Sequence, residues 1–166
     1  METVIVTAKN LIENLVRERL GEIPVARNAV AEKNIRSQRY GKLVSILTAD
    51  GKFDERSYKK TKYSENQKLY EQTTRGSRKI PVEIRCFAKN EAETDEMLEE
   101  ILRYLPRTWS IGRRNGTIDI MTEQNTDWST NFTDSSMQSV FVLFTMEIAQ
   151  NPVELPVIQQ TQVIPA

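Results

Sequence analysis

The chain has 166 residues, 39% of them hydrophobic and 28% charged, the size and balance of one folded domain. Its 23 basic and 23 acidic side chains cancel, which argues against a general nucleic-acid binder with excess Lys and Arg. With no histidine and a single cysteine, Cys86, the sequence excludes His-based triads, imidazole pH switches, an internal disulfide and a Cys-cluster zinc site.

The pattern predicts a first helix from Val4 to Leu20. Leu11, Ile12, Leu15 and Val16 fall on one face, and Gly21 and Pro24 end it. Residues 25–39 are mixed and give no clear element. Leu43 to Leu47 reads as a strand that stops at the Asp50-Gly51 turn signal. Residues 52–66 are polar and Lys-rich, with Tyr58 and Tyr63 interspersed, and read as a long exposed loop or a floppy hairpin tip.

A β-hairpin is predicted next, with strands at about 68–74 and 80–88 and a turn containing Gly76-Ser77. In the second strand Ile80, Val82, Ile84 and Cys86 alternate with Pro81, Glu83 and Arg85. That alternation makes Cys86 a small core residue, and without a histidine a nucleophilic cysteine would lack its usual base. The second helix runs from Asn90, an N-cap candidate with Glu93 three residues on, to Leu105 before Pro106. Its carboxylates favour the positive end of the helix dipole, which explains them without a metal. Met97, Leu98, Ile101, Leu102 and Leu105 form its apolar face.

Arg113-Arg114-Asn115-Gly116 reads as a turn, and 117–122 as a short strand. Residues 123–138 form a polar loop carrying Trp128 and Phe132. Ser139 to Ala149 is the last strong strand. It has apolar residues on both sides, as in a central strand or one whose outer face is covered. Residues 1–150 thus read as one domain, and 151–166 as an extended C-terminal arm. Pro152, Pro156 and Pro165 forbid a helix there, while Val153, Leu155, Val157 and Ile158 are apolar for a free tail. The arm either crosses a neighbouring subunit at a sheet edge or packs on its own domain.

No nucleotide-binding, hydrolase or metalloprotease motif is present, so the sequence points to no enzyme, no catalytic or metal-ligating residue and no cofactor. The N-terminus lacks the features of a signal peptide, and the most apolar run, Val140 to Ile148, is too short to span a bilayer. Charge is neutral in total but uneven along the chain. Residues 51–90 hold eleven basic and five acidic side chains, whereas 91–166 hold four basic and twelve acidic. One reading is a solvated surface. The other is a polarised subunit whose basic face meets the acidic face of the next copy, a contact that closes into a ring when the rotation permits.

The order of elements resembles the tail-terminator and neck proteins of tailed bacteriophages. The resemblance rests on an amphipathic helix before a strand, and on the hairpin from Leu69 to Ala88 running into the acidic-capped helix Asn90–Leu105. It also rests on the Asn-Gly turn, short strand, aromatic polar loop and long strand Ser139–Ala149 that follow. It implies an α/β (α+β) subunit, a mostly antiparallel sheet with two main helices packed on one face. It implies a homo-oligomer, a hexameric ring in the virion, assembled in the host cytoplasm. The ring caps the tail tube protein and meets the head-connector and neck proteins, while DNA passes through its lumen unread and no cofactor or membrane is involved. Contact residues are expected at Lys59, Lys60, Lys62, Arg75, Arg78, Lys79, Trp128, Val153, Leu155, Val157 and Ile158. The alternatives are a head-side neck adaptor, or a monomeric module binding single-stranded nucleic acid through Lys59, Lys60, Lys62, Tyr58 and Tyr63.

Overall fold

A computed structural model describes residues 3–38, 40–112, 114–121 and 137–156. Thr3 caps the first helix, α1 (Val4–Leu20), its hydroxyl accepting a hydrogen bond from the Val6 amide at 3.3 Å. At the other end the Gly21 amide donates to the Arg17 carbonyl at 3.2 Å with φ of 82°, a backbone state that glycine adopts without steric cost. The third helix, α3 (Glu91–Tyr104), is capped by Asn90, which accepts from the Glu93 amide at 2.9 Å. Leu105, extended before Pro106, ends it. Both helices lie where the sequence predicts them, because caps are local.

Among the described residues eight strands form one sheet: β1 (Val25–Ala26), β2 (Leu43–Thr48), β3 (Lys52–Glu65), β4 (Lys68–Phe87), β5 (Thr108–Ile111), β6 (Arg114–Ile120), β7 (Met137–Ala149) and β8 (Val153–Glu154). The main order is β1-β2-β4-β7-β6-β5, with β3 and β8 also paired to β4. Among the described residues only the β1–β2 pair is parallel. The central strand is β4. Along one edge it pairs with β2 from Phe87 to Val82 and then with β3 from Lys79 to Lys68. Along the other it pairs with β7 and then β8. The strand Ser139–Ala149 is therefore central, between β4 and β6, as its two apolar sides imply.

The core lies on the face covered by α1 and α3. Val44, Ile46, Ile80, Val82, Ile84, Cys86, Val142, Phe144 and Met146 meet Ala8, Ile12 and Val16 of α1 and Met97 and Ile101 of α3. Burying each such side chain contributes roughly 1.5–3 kcal/mol. The fold is thus mixed α+β with a mostly antiparallel sheet, and its two long helices share one face. A third helix corrects the two-helix, one-face picture. It is α2 (Ala29–Arg36), capped by Asn28, whose side chain accepts from the Ala31 amide at 2.8 Å. Because side chains alternate across a strand, Leu43 and Phe87 point away from the main core. There they pack with Ala26, Ala31, Ile35 and Tyr40 beneath α2.

Three expectations are overturned. Of the loop or hairpin tip expected at 52–66, the loop is overturned: Lys52–Glu65 is a strand, β3, the first of a hairpin. Its described side chains are largely exposed, so no burial pattern marked it. The turn is not at Gly76-Ser77, which β4 runs straight through. It is at Asn66-Gln67, with φ of 52° and 63°, a two-residue loop of the type I′ kind that matches strand twist. Gly76 is required for another reason: the Asp54 carbonyl lies where a Cβ would sit. Likewise Asn115-Gly116 lies inside β6, not in a turn. Trp109 rests against Gly116, stacks on Phe144 at 5.2 Å and donates its indole N–H to the Thr145 carbonyl at 3.2 Å.

Candidate subunit interface

The long register between β3 and β4 makes an arm. Beyond the end of β7, which pairs Ala149 with Thr74, the strands continue as a hairpin from Lys59–Thr74 to Glu65–Lys68. Its third strand is β8: Val153 pairs with Glu71, Glu154 with Tyr70, and the Leu155 amide donates to the Leu69 carbonyl at 2.8 Å. The first residues of the C-terminal segment therefore pack on the chain's own hairpin. None of the three helices packs substantially on β3 or β8 among the described residues. The arm is a narrow sheet with two open faces.

Alternation sorts its side chains. Lys59, Thr61 and Tyr63 share a face with Thr74, Gln72 and Tyr70. Lys60 and Lys62 share the other with Glu71, Val153 and Leu155. Lys60 reaches Glu71 at 3.9 Å, and Lys68 reaches Glu154 at 3.8 Å. These pairs are exposed and worth at most about 1 kcal/mol each. Tyr63 and Tyr70 stack on each other with ring centres 5.5 Å apart. At the base of the arm an open groove of about 580 Å³ is lined by Lys59, Gln72, Ile111, Arg114, Glu147 and Pro152. Its polar and apolar groups are mixed, and no convergent set of donors marks a ligand.

The structure brings five of the expected contact residues together on the arm: Lys59, Lys60, Lys62, Val153 and Leu155. Lys59, Lys60 and Lys62 are exposed on β3, and Arg75 is exposed at the irregularity of β4 opposite the end of β7. Val153 is 64% exposed on β8 and Leu155 is half-buried beside it. Arg78 and Lys79 sit at the base instead, both half-buried, with Lys79 at 3.2 Å from Asp54. Trp128, Val157 and Ile158 lie outside the described residues. The sequence missed Phe53, 52% exposed on the same strand as the lysines, and Ile111, 48% exposed at the β5–β6 turn. Phe53 stands out only once residues 52–65 are known to be a strand.

One buried charge cluster lies elsewhere. Arg85 of β4 bonds both oxygens of Glu32 at 3.2 Å and also bonds Glu83. Burial opposes its charge, but the hydrogen bond and attraction of Glu83, with those of Glu32, outweigh it and raise its pKa. The cluster fastens α2 to the sheet, and its residues are all satisfied by one another. Cys86 is fully buried, and desolvation pushes its thiol up to about 12, leaving it an inert core group. No described helix is long and apolar enough to cross a membrane. Comparison with protein-family models finds no match, and comparison with curated proteins finds none either.

Proposed function

We propose that the chain is a structural subunit of a tailed-phage neck, a tail terminator that assembles as a ring, caps the tail tube and joins it to the head connector. One observation carries the reading. A three-stranded arm projects beyond the helix-covered core with both faces open, and it carries Lys59, Lys60, Lys62, Val153 and Leu155 of the expected contact residues. A hairpin standing alone in water is marginally stable, so an arm of this length is best accounted for by surfaces that it meets in an assembly. The order of elements that resembles neck proteins supports the same reading, as does the opposed charge of the two halves of the chain. A head-side neck adaptor fits these features equally. The nucleic-acid module fits less well, because Tyr63 stacks on Tyr70 and does not offer a free platform for a base.

The test is the absolute mass in solution across a concentration series, followed by imaging end-on. A climb from 19.2 kDa toward a closed hexamer of ring-shaped particles is expected. A strict monomer that binds single-stranded DNA in a salt-sensitive way would replace this reading.

A further inference from the structure

The arm and α3 are the two poles of the subunit. The tip of the arm is at Lys68, where β4 begins, and α3 starts at Glu91, just past Phe87, where β4 ends. A strand of 20 residues spans up to roughly 65 Å at about 3.3 Å per residue. The tip and the start of α3 thus lie at opposite ends of β4. The poles also differ in charge. Residues 52–79 hold nine basic and four acidic side chains, while 91–104 hold six acidic and one basic. Lys59 and Lys62 have no ion-pair partner among the described residues. On α3, burial of Thr94, Met97 and Ile101 against the core turns Glu91, Asp95, Glu96 and Glu99 to the exposed side.

We propose that the basic arm of one copy docks on the exposed acidic face of α3 in a second copy, in a head-to-tail contact. The proposal rests on the ring reading and names the two surfaces that make it. The contact is made by side chains and not by strand addition: Lys59, Lys60 and Lys62 line the free edge strand, and edge lysines oppose pairing with another strand. A contact between unlike surfaces repeats from copy to copy and closes when the rotation allows. Complementary charge fixes its register and speeds encounter.

The experiment uses two charge-reversed proteins. One carries Lys59→Glu and Lys62→Glu on the arm, the other Asp95→Lys and Glu99→Lys on α3. All four positions are exposed, and circular dichroism with thermal melting verifies that both variants fold. Light scattering at about 50 mM salt, where surface charge is weakly screened, follows self-association. The wild type is expected to associate, each variant to associate at least about tenfold more weakly, and an equimolar mixture of the two variants to recover wild-type association, because unlike poles again face each other. An associating wild type with unaffected variants overturns the arm–α3 contact and leaves the ring reading standing. The same holds if the mixture fails to recover. A wild type that stays monomeric at every concentration overturns both.

Discussion

Gly116→Ala tests how the β5–β6 hairpin is held to the sheet. A Cβ at this position would lie 2.5 Å from Trp109 Nε1 and 2.8 Å from Cε2, and closer still to the Thr145 carbonyl oxygen. The Thr145 carbonyl belongs to the β6–β7 ladder, so relieving that contact means opening the ladder beside Gly116. Trp109 must move as well. It is only 6% exposed, stacks on Phe144 at 5.2 Å and donates to Thr145 at 3.2 Å. Losing that bond costs about 1 kcal/mol. Losing the stacking geometry costs about 0.5–1.5 kcal/mol. Overpacking adds about 1–3 kcal/mol. These costs overlap, and the opened ladder adds to them, so the variant is expected to be at least about 3 kcal/mol less stable. Urea unfolding, followed by fluorescence in a Trp128→Phe background so that only Trp109 reports, should show a midpoint lower by at least about 1.5 M for a slope of about 2 kcal/mol/M. A variant within about 1 kcal/mol of its parent, with unchanged emission, would refute the argument that Gly116 is there to seat the indole.

Three further outcomes are expected. Gln67→Gly should stabilise the protein by about 1 kcal/mol in urea titrations, because Gln67 holds φ of 63° in the hairpin loop at a steric cost that glycine does not bear; a loss of stability would mean that the turn is not of this type. Glu32→Ala removes the partner that ties Arg85 to α2. Since Arg85 keeps Glu83 and is about one-third exposed, the loss should be about 1–2 kcal/mol, below that of a fully buried pair, and a double-mutant cycle with Arg85→Ala should show coupling. Cys86 is held protonated in the folded state up to about pH 12, whereas an unfolded thiol ionises near 8.5. The folded state thus binds a proton that the unfolded state loses. The associated stability is full below about pH 8.5 and falls by up to about 1.4 kcal/mol per pH unit as pH rises toward 12. That decline, measured as the difference between the wild type and Cys86→Ala, should be accompanied by thiol labelling only at the rate of unfolding; rapid labelling of the native protein would contradict it.

The features legible along the chain are those that local chemistry controls. The caps at Asn90 and Gly21 placed α3 and α1, and the alternation of Ile80, Val82, Ile84 and Cys86 placed the core face of the sheet. The two apolar sides of β7 announced a central strand. Only pairing in three dimensions made Lys52–Glu65 a strand, since its described side chains lie largely in water and leave no hydrophobic period to read. The folded structure likewise makes Gly76 and Gly116 serve close approach, by the Asp54 backbone and the Trp109 indole, and not turns. A glycine signal carries the permission for either use. The short α2 is held by long-range ties, Glu32 to Arg85 across 53 positions of chain and Ala31 and Ile35 against the Phe87 cluster, that no local pattern shows. The candidate interface followed the same rule: its lysines could be named from the sequence, but their gathering on one projecting arm, opposite in place and charge to α3, depended on a 20-residue strand that bridges the two poles.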